Sequence, residues 1–281
     1  MPQLDREKIT ILTLKKRKKN GEKISAVTSY DYPSAKIASK AGIDIILVGD
    51  SLGMVLHGDK NTLKVDMDDM IYHTNMVAKA EPLSLVVSDM PFQSYHISVE
   101  KAVENAFKLV KEGGAEAVKL EGGRRRFKVI EAIINAEIPV MGHLGLTPQS
   151  INRLGGYKVQ GKIRERAKEI IQDAIELEKI GVFALVLESI PMELGKKITE
   201  KVSIPTIGIG AGKYCDGQIL VFYDLIGFTN LYLPKFVRKY ADMHSVVYDA
   251  LKKYIDDIKK EDFPGDKESY HLNKDIDEFL K

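Results

Sequence analysis

IDIILVGD (43–50) is apolar at almost every position and then stops on a carboxylate. LSLVVSDM (83–90) repeats the pattern, and so do AVKLEG (117–122) and FALVLES (183–189). Further Val/Ile/Leu-rich runs are ISAVTSY (24–30), PVMGHLG (139–145) and PTIGIGAG (205–212). Short runs that are apolar on both alternating faces describe parallel strands buried on both sides. Between them lie amphipathic stretches with helix signals. Asp66 and Ser98 are placed to cap the helices that follow them, and Gly113 and Gly181 to end helices. Strand and helix alternating this regularly imply a parallel sheet with right-handed crossovers. Seven strands are clear, an eighth is expected around ILVFYD (219–224), and a long terminal helix from about Lys235. Eight such units in about 250 residues is the size of a (β/α)8 TIM barrel. The competing doubly wound sheet lacks its fingerprint, because no G-x-G-x-x-G follows the first strand.

The rest of the composition fits one large core. The chain has 281 residues, 44% hydrophobic and 29% charged. Lys plus Arg number 42 against 40 Asp plus Glu, which argues against nucleic acid or an anionic membrane as the main partner. The basic cluster at 15–19 with Lys23 reads as a solvated helix face. A single cysteine, Cys215, excludes an internal disulfide, and no apolar run reaches membrane-spanning length. No signal peptide is evident at the start, so a cytoplasmic protein is expected. One barrel domain is expected over 1–264, with a helical N-terminal extension, and a polar tail over 265–281.

In a barrel, chemistry sits at the C-terminal ends of the strands. Those ends here carry Asp50, Asp89, Glu121, His143 and Glu188. Residues two apart share a face, so Asp50 is expected to follow Ile46 and Val48, Asp89 to follow Leu85 and Val87, Glu121 to follow Ala117 and Lys119, and Glu188 to follow Ala184 and Val186. A single acid after a strand is usually a cap or a solvated loop residue, but five polar ends in succession are harder to explain that way. Carboxylates gathered at one mouth raise one another's pKa unless a cation sits among them. With oxygen donors and no Cys/His set, Mg²⁺ or Mn²⁺ is favoured over Zn²⁺. Lys119 supplies part of the compensation. The connections 51–65 and 143–161 are long enough to be lids or substrate loops, or else ordered surface loops. The glycine-rich 207–218 could cradle a phosphate, but tight packing selects glycine equally well.

The stretches TSYDYPSAKIASKAGIDIILVGDSLGMV, SDMPFQSY, AVKLEGG, PVMGHLGLTPQS, LGGYKVQG, FALVLESIP and IPTIGIGAG resemble the ketopantoate hydroxymethyltransferase family. The resemblance runs from about Ile24 to Tyr240. It implies a TIM barrel of the phosphoenolpyruvate/pyruvate type. It also implies hydroxymethyl transfer from 5,10-methylenetetrahydrofolate to 3-methyl-2-oxobutanoate. By the same resemblance Asp50 and Asp89 bind Mg²⁺ with Glu121 beside it, Ser51 and Lys119 hold the keto acid with Asp50 and Asp89, and Glu188 is the acid/base. Homo-oligomers, typically decamers, go with the family. The folate contacts have no clear sequence signature. Competing readings are a lyase on the same barrel, a Schiff-base aldolase using Lys119, and a barrel that has lost catalysis. The lyase motif K-K-C-G is absent, and a dead barrel would have lost strand-end acids that are all present.

Overall fold

The computed structural model describes residues 6–229 and 233–272. Eight parallel strands close into a barrel in chain order: β1 (Ile24–Thr28), β2 (Ile45–Val48), β3 (Leu85–Asp89), β4 (Ala117–Glu121), β5 (Val140–Gly145), β6 (Ala184–Glu188), β7 (Thr206–Ile209) and β8 (Gly217–Leu220), with β8 pairing back onto β1. The expected TIM barrel is therefore the observed one. The eighth strand lies slightly earlier than ILVFYD. After Leu220 the Phe222 N–H donates to Thr28 Oγ1 at 3.1 Å, and Phe222–Leu225 coils into a helical turn.

Alternate residues of the strands fill the interior. Ile24 and Ala26, Ile45 and Leu47, Leu85 and Val87, and Ala184 and Val186 belong to one buried cluster with Ala117, Met141, Ile207 and Ile219. Ile9 and Leu14 join the same cluster from the N-terminal segment. The helix Ile11–Asn20, opened by a Thr10/Thr13 capping box, thus covers the N-terminal end of the barrel. Its basic residues do more than face water. Arg17 pairs with the buried Asp44 and Lys18 with Asp216 at 2.8 Å, while Arg6 before the helix also pairs with Asp44 and Lys23 after it donates to the Cys215 carbonyl. A buried carboxylate stripped of such partners costs about 3–5 kcal/mol, so these cations tie the helix to the barrel.

The outer helices follow their sequence signals. Asp66 and Asp69 form a capping box on Met67–Ala78, Ser98 accepts from the Lys101 N–H at the start of Val99–Lys111, and Gly181 ends Arg164–Ile180 in a left-handed conformation. Near Gly210 and Gly212 the space is filled by Phe236 and Met192, which gives those glycines a packing reason.

The chain divides into two compact units, Met1–Phe222 with Leu233–Val237, and Tyr223–Tyr232 with Arg238–Lys281. In the second, the helix expected from about Lys235 begins at Met243. The backbone donors of Tyr240, Met243 and His244 are spent on the carbonyls of Leu225, Ile226 and Gly227, so the segment before it turns instead of coiling. Of the polar stretch after Gly265, Asp266–Glu268 forms a 3-10 turn, and 273–281 lie outside the described residues.

Candidate active site

At the C-terminal ends of β3 to β6 the inward positions change from apolar to ionisable. The order is Leu85, Val87, Asp89 on β3 and Ala117, Lys119, Glu121 on β4. On β5 it is Met141 then His143, and on β6 Ala184, Val186, Glu188. Register makes neighbours of the polar ones: Asp89 lies opposite Lys119, and Glu121 opposite His143. Lys119 Nζ accordingly sits 2.5 Å from Asp89 Oδ1 and 3.3 Å from His143 Nδ1. His143 Nδ1 lies 3.6 Å from Glu121 Oε1, and its Nε2 lies 3.2 Å from Glu188 Oε2.

Simple alternation misleads at β2. Ile45 and Leu47 face the interior there, not Ile46 and Val48. The next inward position is Gly49. A Cβ on it would stand 3.0 Å from Ser51 Oγ and 3.4 Å from Asp89 Oδ2. Having no side chain, Gly49 leaves the mouth open. Asp50, in the turn after the strand, reaches the site from there, and its N–H donates to Asp89 Oδ2 at 3.2 Å. The sequence placed Asp50 at the site for a reason the structure corrects. Ser51 adjoins it, its Oγ sharing a 2.8 Å hydrogen bond with the buried Tyr30 hydroxyl, which also accepts from Thr28.

Two buried side chains went unassigned in the sequence. Gln149 Nε2 donates to Asp50 Oδ2 at 2.8 Å and to the Met90 carbonyl at 3.0 Å, while its backbone N–H donates to Glu121 Oε2 at 3.0 Å. Tyr95 donates its hydroxyl to Gln149 Oε1 at 2.5 Å and accepts from the Glu121 N–H. Gln149 stands in the 143–161 connection, which is ordered by the 3-10 turn Pro148–Ser150 and the short helix Ile151–Leu154. A glutamine on a loop carries no periodic signal. The unusual length of that connection was the only available hint.

The electrostatics are unbalanced. Burial, reinforced by the charge of Asp89, pushes Asp50 up to about 7, against the opposing pull of Lys119 and Gln149. Burial holds Glu121 well above the usual carboxylate range, with Lys119 opposing and Asp50, Asp89 and Glu188 adding to the rise. Burial also lifts Glu188 to about 7, again opposed by Lys119. His143 is driven well below its ordinary value by burial and by the neighbouring ammonium, so it is neutral. Burial alone would lower Lys119, but Asp89, Glu121 and Asp50 outweigh it and fix the ammonium in its charged form. One permanent cation thus faces four carboxylates.

Asp50 and Asp89 are the groups that could hold a further cation. Among the described residues no three His, Cys, Asp or Glu side chains form a ready-made cage. Mg²⁺ is usually held by one or two carboxylates and completes its octahedron with water and substrate oxygens.

Comparison with known proteins bears on the fold and the family. The solved structures of 2,3-dimethylmalate lyase, a PEP mutase/isocitrate lyase superfamily member, and of phosphonopyruvate hydrolase in complex with oxalate and Mg²⁺ share the fold. The first has a TM-score of 0.58 at 15% identity over 96% of each chain. The second has a TM-score of 0.60 at 12% identity over 97% of this chain and 96% of the other. Relatives named 3-methyl-2-oxobutanoate hydroxymethyltransferase are much closer in sequence. The one from Thermoanaerobacter sp. (strain X514) is 57% identical over 95% of this chain and 98% of its own length. That from Geobacter sulfurreducens is 54% identical over 93% and 98%. Ketopantoate hydroxymethyltransferase is also the family description that matches residues 8–266. With relatives this similar along nearly its whole length, the chain belongs to the ketopantoate hydroxymethyltransferase family.

Proposed function

We propose that this chain transfers the one-carbon unit of 5,10-methylenetetrahydrofolate to 3-methyl-2-oxobutanoate, forming ketopantoate, with Mg²⁺ held by Asp50 and Asp89 and Glu121 beside it. The observation that carries this is the excess of buried carboxylate over cation at the strand ends of a chain 57% identical to an enzyme of that name. When bound, the divalent cation supplies a Lewis acid that stabilises negative charge on the keto oxygen.

The chain's own residues do the rest. Lys119, kept charged by its carboxylate neighbours, holds the substrate carboxylate together with the Ser51 hydroxyl. Glu188 takes the C3 proton, and its pKa near 7 suits a group that must accept a proton and give it back at neutral pH. Neutral His143 lies beside that carboxylate, its Nε2 3.2 Å from Glu188 Oε2. C3 then forms its new bond to the methylene carbon of the donor, both carbon–nitrogen bonds of that carbon break, water provides the hydroxyl, and the C3 proton with the second proton of that water ends on the two donor nitrogens. Gln149 and Tyr95 keep Asp50 and Glu121 in place throughout. A Schiff base at Lys119 is disfavoured because an ammonium paired with Asp89 is not a nucleophile. Borohydride with the keto acid should therefore leave the chain unlabelled.

A cytoplasmic homo-oligomer, decameric by family resemblance, belongs to the same proposal. Among the described residues no helix is long and apolar enough to cross a membrane. The test is ketopantoate formation by enzyme stripped with EDTA. No product without metal and recovery on adding Mg²⁺ are expected, and full activity in the stripped enzyme would refute the carboxylate site.

A further inference from the structure

Next to the carboxylate centre lies a chamber of about 440 Å³. Glu121 and Gln149 line it, so it adjoins the reaction centre directly. It also carries five arginines from three separate segments. Arg124, Arg125 and Arg126 come from the turn after β4, Arg153 from the short helix Ile151–Leu154, and Arg166 from the helix Arg164–Ile180.

These guanidiniums are not equivalent. Arg124 is tied to Asp173 at 2.9 Å and Arg166 to Glu169 at 2.7 Å. Arg126 lies over the Tyr95 ring, 5.5 Å from its centre. Among the described residues neither Arg125 nor Arg153 has a carboxylate partner. Partial burial and the charges of Arg125, Arg166 and Arg126 together hold Arg153 below its ordinary pKa, as expected where like charges converge. Arg125 and Arg153 are both exposed at the chamber, so their guanidiniums can meet a ligand arriving from solution. Phe92, Leu144 and Ile170 line the same chamber and give it an apolar wall. A space of this size, lined by both apolar and charged side chains, is within the roughly 300–1,000 Å³ range of small-molecule sites.

We infer that this chamber takes the anionic end of the one-carbon donor, with Arg125 and Arg153 pairing to the glutamyl carboxylates of a tetrahydrofolate. This rests on the folate-donor reading above. The donor has to bring its methylene carbon to a centre that is already rich in carboxylates, and its own carboxylates have to lie elsewhere. The adjoining chamber provides that place. Planar guanidinium forks match carboxylate oxygens in pairs, and a donor bearing several γ-linked glutamates would engage more of them. Phosphate has similar chemistry, so the test includes it.

The experiment compares KM for 5,10-methylenetetrahydrofolate bearing one and four glutamyl residues, in the wild-type enzyme and in an Arg125→Gln/Arg153→Gln double variant. The wild type is expected to show a KM about tenfold lower for the tetraglutamate, the equivalent of one good charged contact. The double variant should lose that preference, and raised KCl should shrink it in the wild type, since exposed charges are screened within about 8 Å at physiological salt. Exchange of the keto-acid C3 hydrogen, which needs no donor, reports whether each variant is folded. No preference in the wild type would overturn the inference, whatever the variant does. A preference that survives in a folded double variant would also overturn it, and so would inorganic phosphate competing equally against both donors. Exchange without any transfer from either donor would instead refute the donor reading itself, whereas equal transfer from both would refute only the chamber's role.

Discussion

Replacing Gln149 by leucine distinguishes a loop 143–161 that positions Asp50 from one that merely covers the barrel. The side chain makes three hydrogen bonds, to Asp50 Oδ2 at 2.8 Å, to the Met90 carbonyl at 3.0 Å and from Tyr95 at 2.5 Å. Asp50, Met90 and Tyr95 are all buried. Leucine has about the same bulk, so little cavity is made, but acceptors on Asp50 and Met90 lose their donor and the Tyr95 hydroxyl loses its acceptor. Each orphaned buried group costs about 1–3 kcal/mol, and water from the adjoining chamber offsets part of this. A loss of about 2–4 kcal/mol is expected, which for a chain of this size lowers Tm by roughly 5–15 °C at about 2–4 °C per kcal/mol.

The substitution also has a signature that a purely structural role would lack. Gln149 pulls the pKa of Asp50 down, so removing it pushes that pKa further above 7. A cation binds the ionised carboxylate, so its affinity at pH 7 should fall and should recover toward wild type at about pH 9. Thermal melts and Mg²⁺ titration calorimetry at the two pH values measure both effects. A variant with the wild-type Tm and the same metal affinity at pH 7 would refute the placement of Gln149 as the group that holds Asp50.

The other expectations concern the site itself. Asp89→Asn keeps the shape but removes a charge facing Lys119 and the proposed cation, so Mg²⁺ and keto-acid affinities should fall together. Unchanged metal affinity by calorimetry would remove Asp89 from the ligand set. Glu188→Gln should leave Mg²⁺ binding close to wild type and cost about 10²- to 10⁴-fold in turnover, the usual worth of a general base. Because Glu188 is lifted to about 7 and acts ionised, wild-type kcat/KM should decline as pH drops below about 7. A profile flat down to pH 5.5 would contradict that role. Gly145 has a φ of +98°, and a Cβ there would meet the Glu188 carbonyl at 2.2 Å. Gly145→Ala should therefore spread the ends of β5 and β6 and lower both Tm and turnover, and a variant with unaltered Tm and turnover would count against this tight junction.

Much of this was legible in the sequence because burial on two faces leaves a strong mark. The runs at 43–50, 83–90, 117–122 and 183–189 are apolar at most positions, and the polar residues that end them are conspicuous for that reason. On β3, β4 and β6, alternation gave the correct inward face. On β2 it failed, since both faces are apolar and period 2 cannot choose between them. Gly49 then breaks the pattern, and Asp50 enters from a turn. Gln149 and Tyr95 stayed hidden because their roles depend on contacts 26 to 99 residues away in the chain, which no local pattern records. The arginine chamber is similar: the arginines at 124–126, Arg153 and Arg166 are separate in the sequence, and only the fold brings them to one chamber. The late helix Met243–Lys259 was misplaced at its start because the backbone bonds of 240–244 reach back to 225–227.

If the proposed site is right, the strand-end carboxylates and a divalent cation together labilise the C3 hydrogen of the keto acid before any one-carbon unit arrives. Proton NMR of 3-methyl-2-oxobutanoate in D₂O, with enzyme and Mg²⁺ but no folate, tests this directly. The C3 signal is expected to disappear at an enzyme-dependent rate that drops to background when EDTA is added. Loss of the signal at the same rate with and without EDTA, or no loss at all from an enzyme that makes ketopantoate once the donor is supplied, would contradict it.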